Sequence, residues 1–135
     1  MSDLGRMNVL VVSKKVDFGV YLNCDKYGEI LLPRKFVPDN CEIGDKLNVF
    51  VHKDSEDRII TTTKQPKGMV GEFSCLKVSE VNEFGAFLDW GLEKELFVPF
   101  KEQKVHMQAD KSYVVFIYVD KVTDRIVGTS KISKS

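Results

Sequence analysis

The chain has 135 residues, of which 43% are hydrophobic and 30% are charged, a composition typical of globular proteins and unlike that of disordered or membrane-spanning chains. Its 20 basic residues balance 20 acidic residues, so it lacks the net positive charge typical of nucleic-acid-binding proteins. Any contact with nucleic acid must therefore depend on a local basic patch.

An internal repeat organises the sequence into two modules. A shift of 66 positions superposes residues 5–33 on residues 71–99 without a gap. The identical pairs include Gly5 with Gly71, Ser13 with Ser79, Phe18 with Phe84, Gly19 with Gly85, Leu22 with Leu88, Glu29 with Glu95 and Pro33 with Pro99. Residues 1–63 and 69–135 are therefore predicted to form two homologous domains, and the polar residues 64–68 are predicted to link them.

Within each module the hydrophobic pattern predicts β-strands, because β-branched and aromatic residues dominate short runs separated by Gly, Asp, Asn and Pro. The predicted strands of the first module cover residues 7–14, 18–23, 28–32, 46–53 and 58–63, with counterparts in the second module. The long connections, 33–44 and 99–110, are each predicted to carry a short helical turn. Five short strands with one long connection predict an all-β protein with two tandem five-stranded OB-fold barrels.

A pair of aromatic residues flanks a glycine at the same place in both modules. The pairs are Phe18 with Tyr21 and Phe84 with Phe87. Strand side chains alternate between two faces, so rings three positions apart should point to opposite faces. A β-bulge at Gly19 and at Gly85 would return both rings to one face and form a platform on which bases stack. The alternative is that these rings belong to the barrel cores.

These motifs resemble the RNA-binding domain of ribosomal protein S1, in which strand two begins with Phe-Gly-x-Phe and the last hairpin carries Asp followed by Arg-Ile. The matching hairpin segments are Asp57-Arg58-Ile59 and Asp124-Arg125-Ile126. The tandem arrangement resembles the amino-terminal part of the conserved virulence factor B family of Gram-positive bacteria. That resemblance implies a role in controlling gene expression through RNA and further protein domains in a longer parent chain. Many S1 domains have a histidine where this chain has Pro33 and Pro99, so one usual RNA contact is missing from both modules.

Four cations are candidates for contact with RNA. The resemblance places Arg58 and Arg125 beside the aromatic residues, where an arginine can contact phosphate or stack on a base. The alternative is an ion pair within the hairpin, for which the candidate partners are Asp54, Asp57, Asp120 and Asp124. Arg34 and Lys101 follow the proline of strand three and are predicted to extend a basic rim, although an exposed turn explains them equally well.

No catalytic or metal site is predicted. His52 and His106 have no Cys, His or carboxylate around them at metal-ligand spacing. The sequence contains no phosphate-binding loop, nucleophile elbow or HExxH motif, so we expect no cofactor and no small-molecule substrate. Its three cysteines form no CxxC pair, and no apolar run reaches the roughly 20 residues of a membrane span. The expected location is the cytoplasm.

The sequence therefore predicts non-catalytic binding of single-stranded RNA by tandem S1-like barrels. The predicted contact residues are Phe18, Tyr21, Arg34, Arg58, Phe84, Phe87, Lys101 and Arg125. The competing hypothesis is a protein-protein interaction module whose barrel faces bind no nucleic acid, and the neutral net charge favours it.

Overall fold

The computed structural model describes residues 4–132, which belong to two compact units, Met1–Gln65 and Pro66–Ser135. The strands of the first unit are β1 (Met7–Val16), β2 (Gly19–Cys24), β3 (Gly28–Pro33), β4 (Lys46–Lys53) and β5 (Ile59–Thr62). Those of the second are β6 (Phe73–Val81), β7 (Gly85–Asp89), β8 (Leu96–Pro99), β9 (Ser112–Asp120) and β10 (Arg125–Thr129). The predicted all-β class with two five-stranded barrels is confirmed.

Short 3-10 turns follow the third strand of each unit, at Arg34–Phe36 and Phe100–Glu102. These turns lie in the long connections, as the sequence predicted. Pro33 and Pro99 each stand at the last strand position before the turn, where the missing backbone donor of proline ends the ladder. Within residues 4–132, no helix is long and apolar enough to cross a bilayer.

The alternation of side chains along each strand separates a barrel core from an outer face. In β2, Val20, Leu22 and Cys24 are buried, whereas Tyr21 is half-buried and Asn23 is exposed. Strand β7 repeats this pattern of burial. Each buried aliphatic side chain contributes about 1.5–3 kcal/mol relative to exposure, so this core fixes the register and with it the residues that face outward.

The two barrels close differently. The strand order is β3-β2-β1-β4-β5 in the first, and β10-β8-β7-β6-β9 in the second, which a parallel β8–β10 pairing closes. Gly128 of β10 lies at this closure, where an added Cβ would meet methyl carbons of Leu96 and Val98 at 3.1 and 3.2 Å. The aligned residue of β5 is Thr61, whose hydroxyl donates to the carbonyl oxygen of Leu31 in β3 at 2.9 Å. A side-chain hydrogen bond thus connects β5 to β3 where the second barrel has a ladder.

Candidate nucleic-acid interface

In the first barrel, Phe18 and Tyr21 form an edge-to-face pair with ring centroids 6.3 Å apart and ring planes at 87°. Phe18 is 56% exposed and Tyr21 is half-buried, so the Phe18 ring lies outside the core. Lys14 of β1 pairs with Tyr21 in the ladder, and its Nζ lies 4.8 Å from the centroid of the Tyr21 ring. We call this surface the first aromatic face. It consists of Phe18, Tyr21 and Lys14, with the outward-facing residues of β3 and of the turn Arg34–Phe36.

The predicted position of the bulge was wrong. The β1–β2 ladder shifts register between Val12 and Lys14, and the β6–β7 ladder shifts between Val78 and Glu80. The β2–β3 and β7–β8 ladders, which begin at Gly19 and Gly85, are regular. Sequence reasoning placed the bulge at a glycine because glycine is the usual marker of an irregular strand.

Gly19 and Gly85 instead allow a close approach between strands. Gly19 has φ +152°, and an added Cβ would lie 2.1 Å from the carbonyl oxygen of Leu32. At Gly85, with φ +156°, the corresponding distance is 2.5 Å to the carbonyl oxygen of Val98. Only glycine fits between the turn and the third strand, so these two residues set where the preceding phenylalanine emerges from the barrel.

A serine at each bulge anchors the strand that carries the second aromatic residue. Ser13 Oγ lies 3.2 Å from the carbonyl oxygen of Tyr21 and 2.9 Å from Oε2 of Glu29. Ser79 makes the same two contacts with Phe87 and Glu95. The repeat aligns these serines and glutamates, but no role was predicted for them. Their hydrogen bonds connect β1 to β3, and β6 to the residue before β8, across the aromatic strand.

In the second barrel, the ring partner of Phe87 is Phe97 rather than Phe84. The centroids of Phe87 and Phe97 lie 5.1 Å apart on paired strands, and Phe84 is 66% exposed at the turn before β7. Phe97 is half-buried between two inward-facing residues of β8, so strand alternation was the signal that could have identified it. The second aromatic face consists of Phe84, Phe87 and Phe97, with the outward-facing residues beside them.

Arg58 forms the ion pair that was the alternative to RNA contact. Its Nε lies 2.9 Å from Asp54 Oδ2, and its guanidinium also lies 3.6 Å from Glu56. Burial alone would raise the pKa of Asp54, but hydrogen bonds from the backbone N–H groups of Arg58 and Glu56 and from the Arg58 guanidinium lower the pKa below its ordinary value. Asp54 therefore organises the hairpin and restrains the arginine.

Arg125 lies in β10, opposite Asp120 in the ladder. Two residues further along the strand, Val127 pairs with Phe97 and is buried. Arg125 is exposed at the start of β10, and its contact with RNA stays a prediction. A hydrogen bond from the Val122 N–H is the main cause that lowers the pKa of Asp120, and the charge of Lys101 lowers it further.

Arg34 and Lys101 are both exposed, but they are not equivalent positions of the repeat. The backbone N–H of Arg34 donates to the carbonyl oxygen of Phe18 at 2.9 Å, and its guanidinium lies 3.5 Å from the carbonyl oxygen of Asp17. Arg34 is thus fixed beside the first aromatic face. Lys101 lies in the 3-10 turn after β8, where its charge acts on Asp120.

The chain is a tandem OB-fold protein, and both of its barrels carry aromatic residues on the outward side of equivalent strands. The chain belongs to the S1 domain family, whose model matches residues 4–64 and again residues 70–131. It is 30% identical over 127 residues to the uncharacterized protein YitL of Bacillus subtilis (strain 168), a match that covers 90% of this chain and 41% of YitL.

The fold is also similar to that of a solved structure, described as a multidomain protein with nucleic acid binding domains from Streptococcus pneumoniae TIGR4. The TM-score is 0.80 at 21% sequence identity, with 97% of this chain and 47% of that protein covered. This chain therefore spans less than half the length of either similar protein.

Proposed function

We propose that this chain binds single-stranded RNA without catalysis, through the aromatic and basic residues of its two S1 barrels. The observation that carries the proposal is the exposure of Phe18 and Phe84, at 56% and 66%, at the same position of both barrels. An exposed phenylalanine ring contributes no burial energy to folding. In both barrels the exposed ring lies near further aromatic residues, and such a surface can stack bases. Membership of the S1 family supports a nucleic-acid-binding role.

Cations beside the rings supply the second requirement, which is neutralisation of phosphate. In the first barrel Lys14 and Arg34 lie beside the rings. In the second barrel we propose this role for the exposed residues Lys101 and Arg125. Arg58 remains a candidate contact, although its ion pairs with Asp54 and Glu56 restrict it. Base stacking contributes about 1–3 kcal/mol per base and tolerates many sequences, so we expect weak sequence preference.

In the longer relatives these barrels are part of a larger chain, and we propose that the whole protein acts in the control of gene expression through RNA. The support is the tandem S1 arrangement and its resemblance to the conserved virulence factor B family. Linking two weak sites makes the second contact intramolecular, which raises apparent affinity when both sites engage one strand.

A protein-interaction role is the second candidate, and a specific surface favours it. On the outer side of β6 and β9, Phe73 and Phe116 pair with centroids 5.0 Å apart, beside Cys75 and Val114. Phe73 and Val114 are 59% and 51% exposed. This apolar surface carries no basic residue at those four positions, so it fits a protein partner better than RNA.

Fluorescence anisotropy of a labelled single-stranded RNA, titrated with the protein at two salt concentrations, tests the proposal. We expect binding that weakens as salt rises and that falls at least about fivefold in the double variant Phe84→Ala/Phe87→Ala. Phe73→Ala is the matched control, because it removes an equally exposed ring of the same barrel outside the aromatic face. Equal loss in both variants, or no binding at tens of micromolar protein, would reject the proposal.

A further inference from the structure

The two aromatic faces differ in charge at equivalent positions. Lys14 and Glu80 each follow the bulge of the first strand of their barrel and pair with the aromatic residue of the next strand. In the first barrel the Lys14 ammonium lies over the Tyr21 ring, 4.8 Å from its centroid, and 4.0 Å from Oε1 of the exposed Glu29. In the second barrel a carboxylate occupies that position opposite Phe87. The same site in the fold is cationic in one barrel and anionic in the other.

At two further aligned positions, the first barrel has an aliphatic or a basic residue and the second barrel has an aromatic one. The repeat aligns Leu31 with Phe97, and Arg34 with Phe100. Phe97 packs on Phe87, as described above, and Phe100 is 36% exposed with its centroid 5.6 Å from that of the His106 ring. The second barrel therefore offers more ring surface, and the first barrel offers a guanidinium where the second has a ring.

The sum of charges follows the same division. At repeat positions 14, 17, 29, 34 and 35 the first barrel carries the cations Lys14, Arg34 and Lys35 and the carboxylates Asp17 and Glu29, a sum of +1. The aligned positions of the second barrel carry the cation Lys101 and the carboxylates Glu80, Glu83 and Glu95, a sum of −2. The hairpin arginines, Arg58 and Arg125, are common to both barrels and do not change this difference. A phosphodiester backbone is attracted to the first face and repelled by this part of the second.

We infer that the two barrels contribute unequally to the recognition of one RNA strand: the first barrel supplies more of the phosphate contact, and the second barrel supplies more of the base stacking. This inference rests on the proposed function and deepens it. It assigns phosphate contact to Lys14 and Arg34, and base contact to Phe87, Phe97 and Phe100. Stacking needs no net charge, because every base presents a π-face, so a face with excess carboxylates still binds unpaired bases.

The test compares two labelled probes of about 12 nucleotides, a uridine oligomer and an abasic ribose-phosphate oligomer of equal length. We expect the double variant Lys14→Gln/Arg34→Gln to weaken binding of both probes at least about threefold. The slope of log K against log salt should also fall by about 1.4, because each lost phosphate contact removes about 0.7. Lys26→Gln is the matched control, since Lys26 also lies over a ring, 5.4 Å from the Tyr27 centroid, but at the β2–β3 turn.

In the second barrel, Phe97→Leu/Phe100→Ala should weaken binding of the uridine oligomer at least about fivefold and leave the abasic probe and the salt slope unchanged. Leucine is the residue of the first barrel at the Phe97 position, so packing against Phe87 is kept. A gain-of-function variant, Glu80→Lys, copies Lys14 into the second barrel and should steepen the salt slope by about 0.7.

Three results would reject the division: an unchanged salt slope in Lys14→Gln/Arg34→Gln, a loss of abasic binding in Phe97→Leu/Phe100→Ala, or no effect of Glu80→Lys. In each of these cases wild-type protein still binds RNA, so the proposed function survives. If wild-type protein binds neither probe, the proposed function itself fails.

Discussion

The hydroxyl of Thr61 donates a hydrogen bond to the carbonyl oxygen of Leu31, and this 2.9 Å contact connects β5 to β3. The second barrel closes with a parallel backbone pairing of β10 with β8 at the same place, beside Gly128. The aligned residues Thr61 and Gly128 thus lie where the two barrels close differently. Thr61 is 1% exposed, so its hydroxyl has no solvent to replace the carbonyl partner.

We expect Thr61→Val to destabilise the first barrel by about 1–3 kcal/mol, because the variant keeps the shape of the side chain and leaves the Leu31 carbonyl without its donor. Urea unfolding followed by circular dichroism measures the change. Thr123→Val is the control: it removes a hydroxyl that donates to Asp120 at 3.1 Å in the exposed β9–β10 turn, where water can replace it, and should change stability by less than about 0.5 kcal/mol. Equal unfolding midpoints for wild type and Thr61→Val would show that this hydrogen bond does not hold the barrel closed.

Two glycines of the first barrel separate the effect of close approach from the effect of backbone angle. Both have positive φ, +152° at Gly19 and +75° at Gly28, but an added Cβ would meet Leu32 only at Gly19, since Gly28 faces open space. We therefore expect Gly28→Ala to cost about 1 kcal/mol from backbone strain, and Gly19→Ala to cost about 3 kcal/mol or more. Thermal unfolding of both variants measures the difference, and similar losses would contradict it.

The architecture could be predicted from the sequence because the same strand pattern occurs in both halves of the chain at a constant shift. The alternation of Val20, Tyr21 and Leu22 predicts which side chains enter the core, and Ala86, Phe87 and Leu88 repeat it. The bulge was placed wrongly because its residue is a serine in both barrels, Ser13 and Ser79, and nothing in a serine marks an irregular strand. Its position depends on pairing with the next strand, which is tertiary information.

The candidate site was predictable only in part, because pairing between strands decides which side chains meet. Phe18 and Phe84 were identified from the glycine that follows each of them. The partner of Phe87 is Phe97, which aligns with Leu31 and therefore lacked the signal of repetition. The restraint on Arg58 by Asp54 was one of several pairings compatible with the sequence, and only the geometry of the hairpin selects it.

The Asp54 carboxylate should make the stability of the first barrel depend on acid pH. Its pKa is lower in the folded chain than the ordinary value of 3.8, so its contribution is complete above that value and is lost as pH falls through the folded pKa. We expect Asp54→Asn to reduce stability at pH 7 by about 1 kcal/mol and to flatten the loss of stability below pH 4. Urea unfolding between pH 2 and pH 7, a range set by this pKa, tests this. Asp25→Asn, at an exposed turn carboxylate, is the control, and an equal acid dependence in Asp54→Asn and wild type would contradict the assignment.

The three cysteines should differ sharply in reactivity, which tests the placement of β6 directly. Cys75 is exposed on β6 beside Val114, whereas Cys24 and Cys41 are buried. Burial is the main cause that raises the pKa of the Cys41 thiol, so the reactive thiolate form is further depleted there. We expect a thiol reagent such as dithiobis-nitrobenzoate to modify one thiol rapidly in native protein and all three after unfolding in guanidinium. Cys75→Ser should abolish the rapid phase, and a rapid phase that persists in this variant would mean that Cys24 or Cys41 is accessible in the folded barrel.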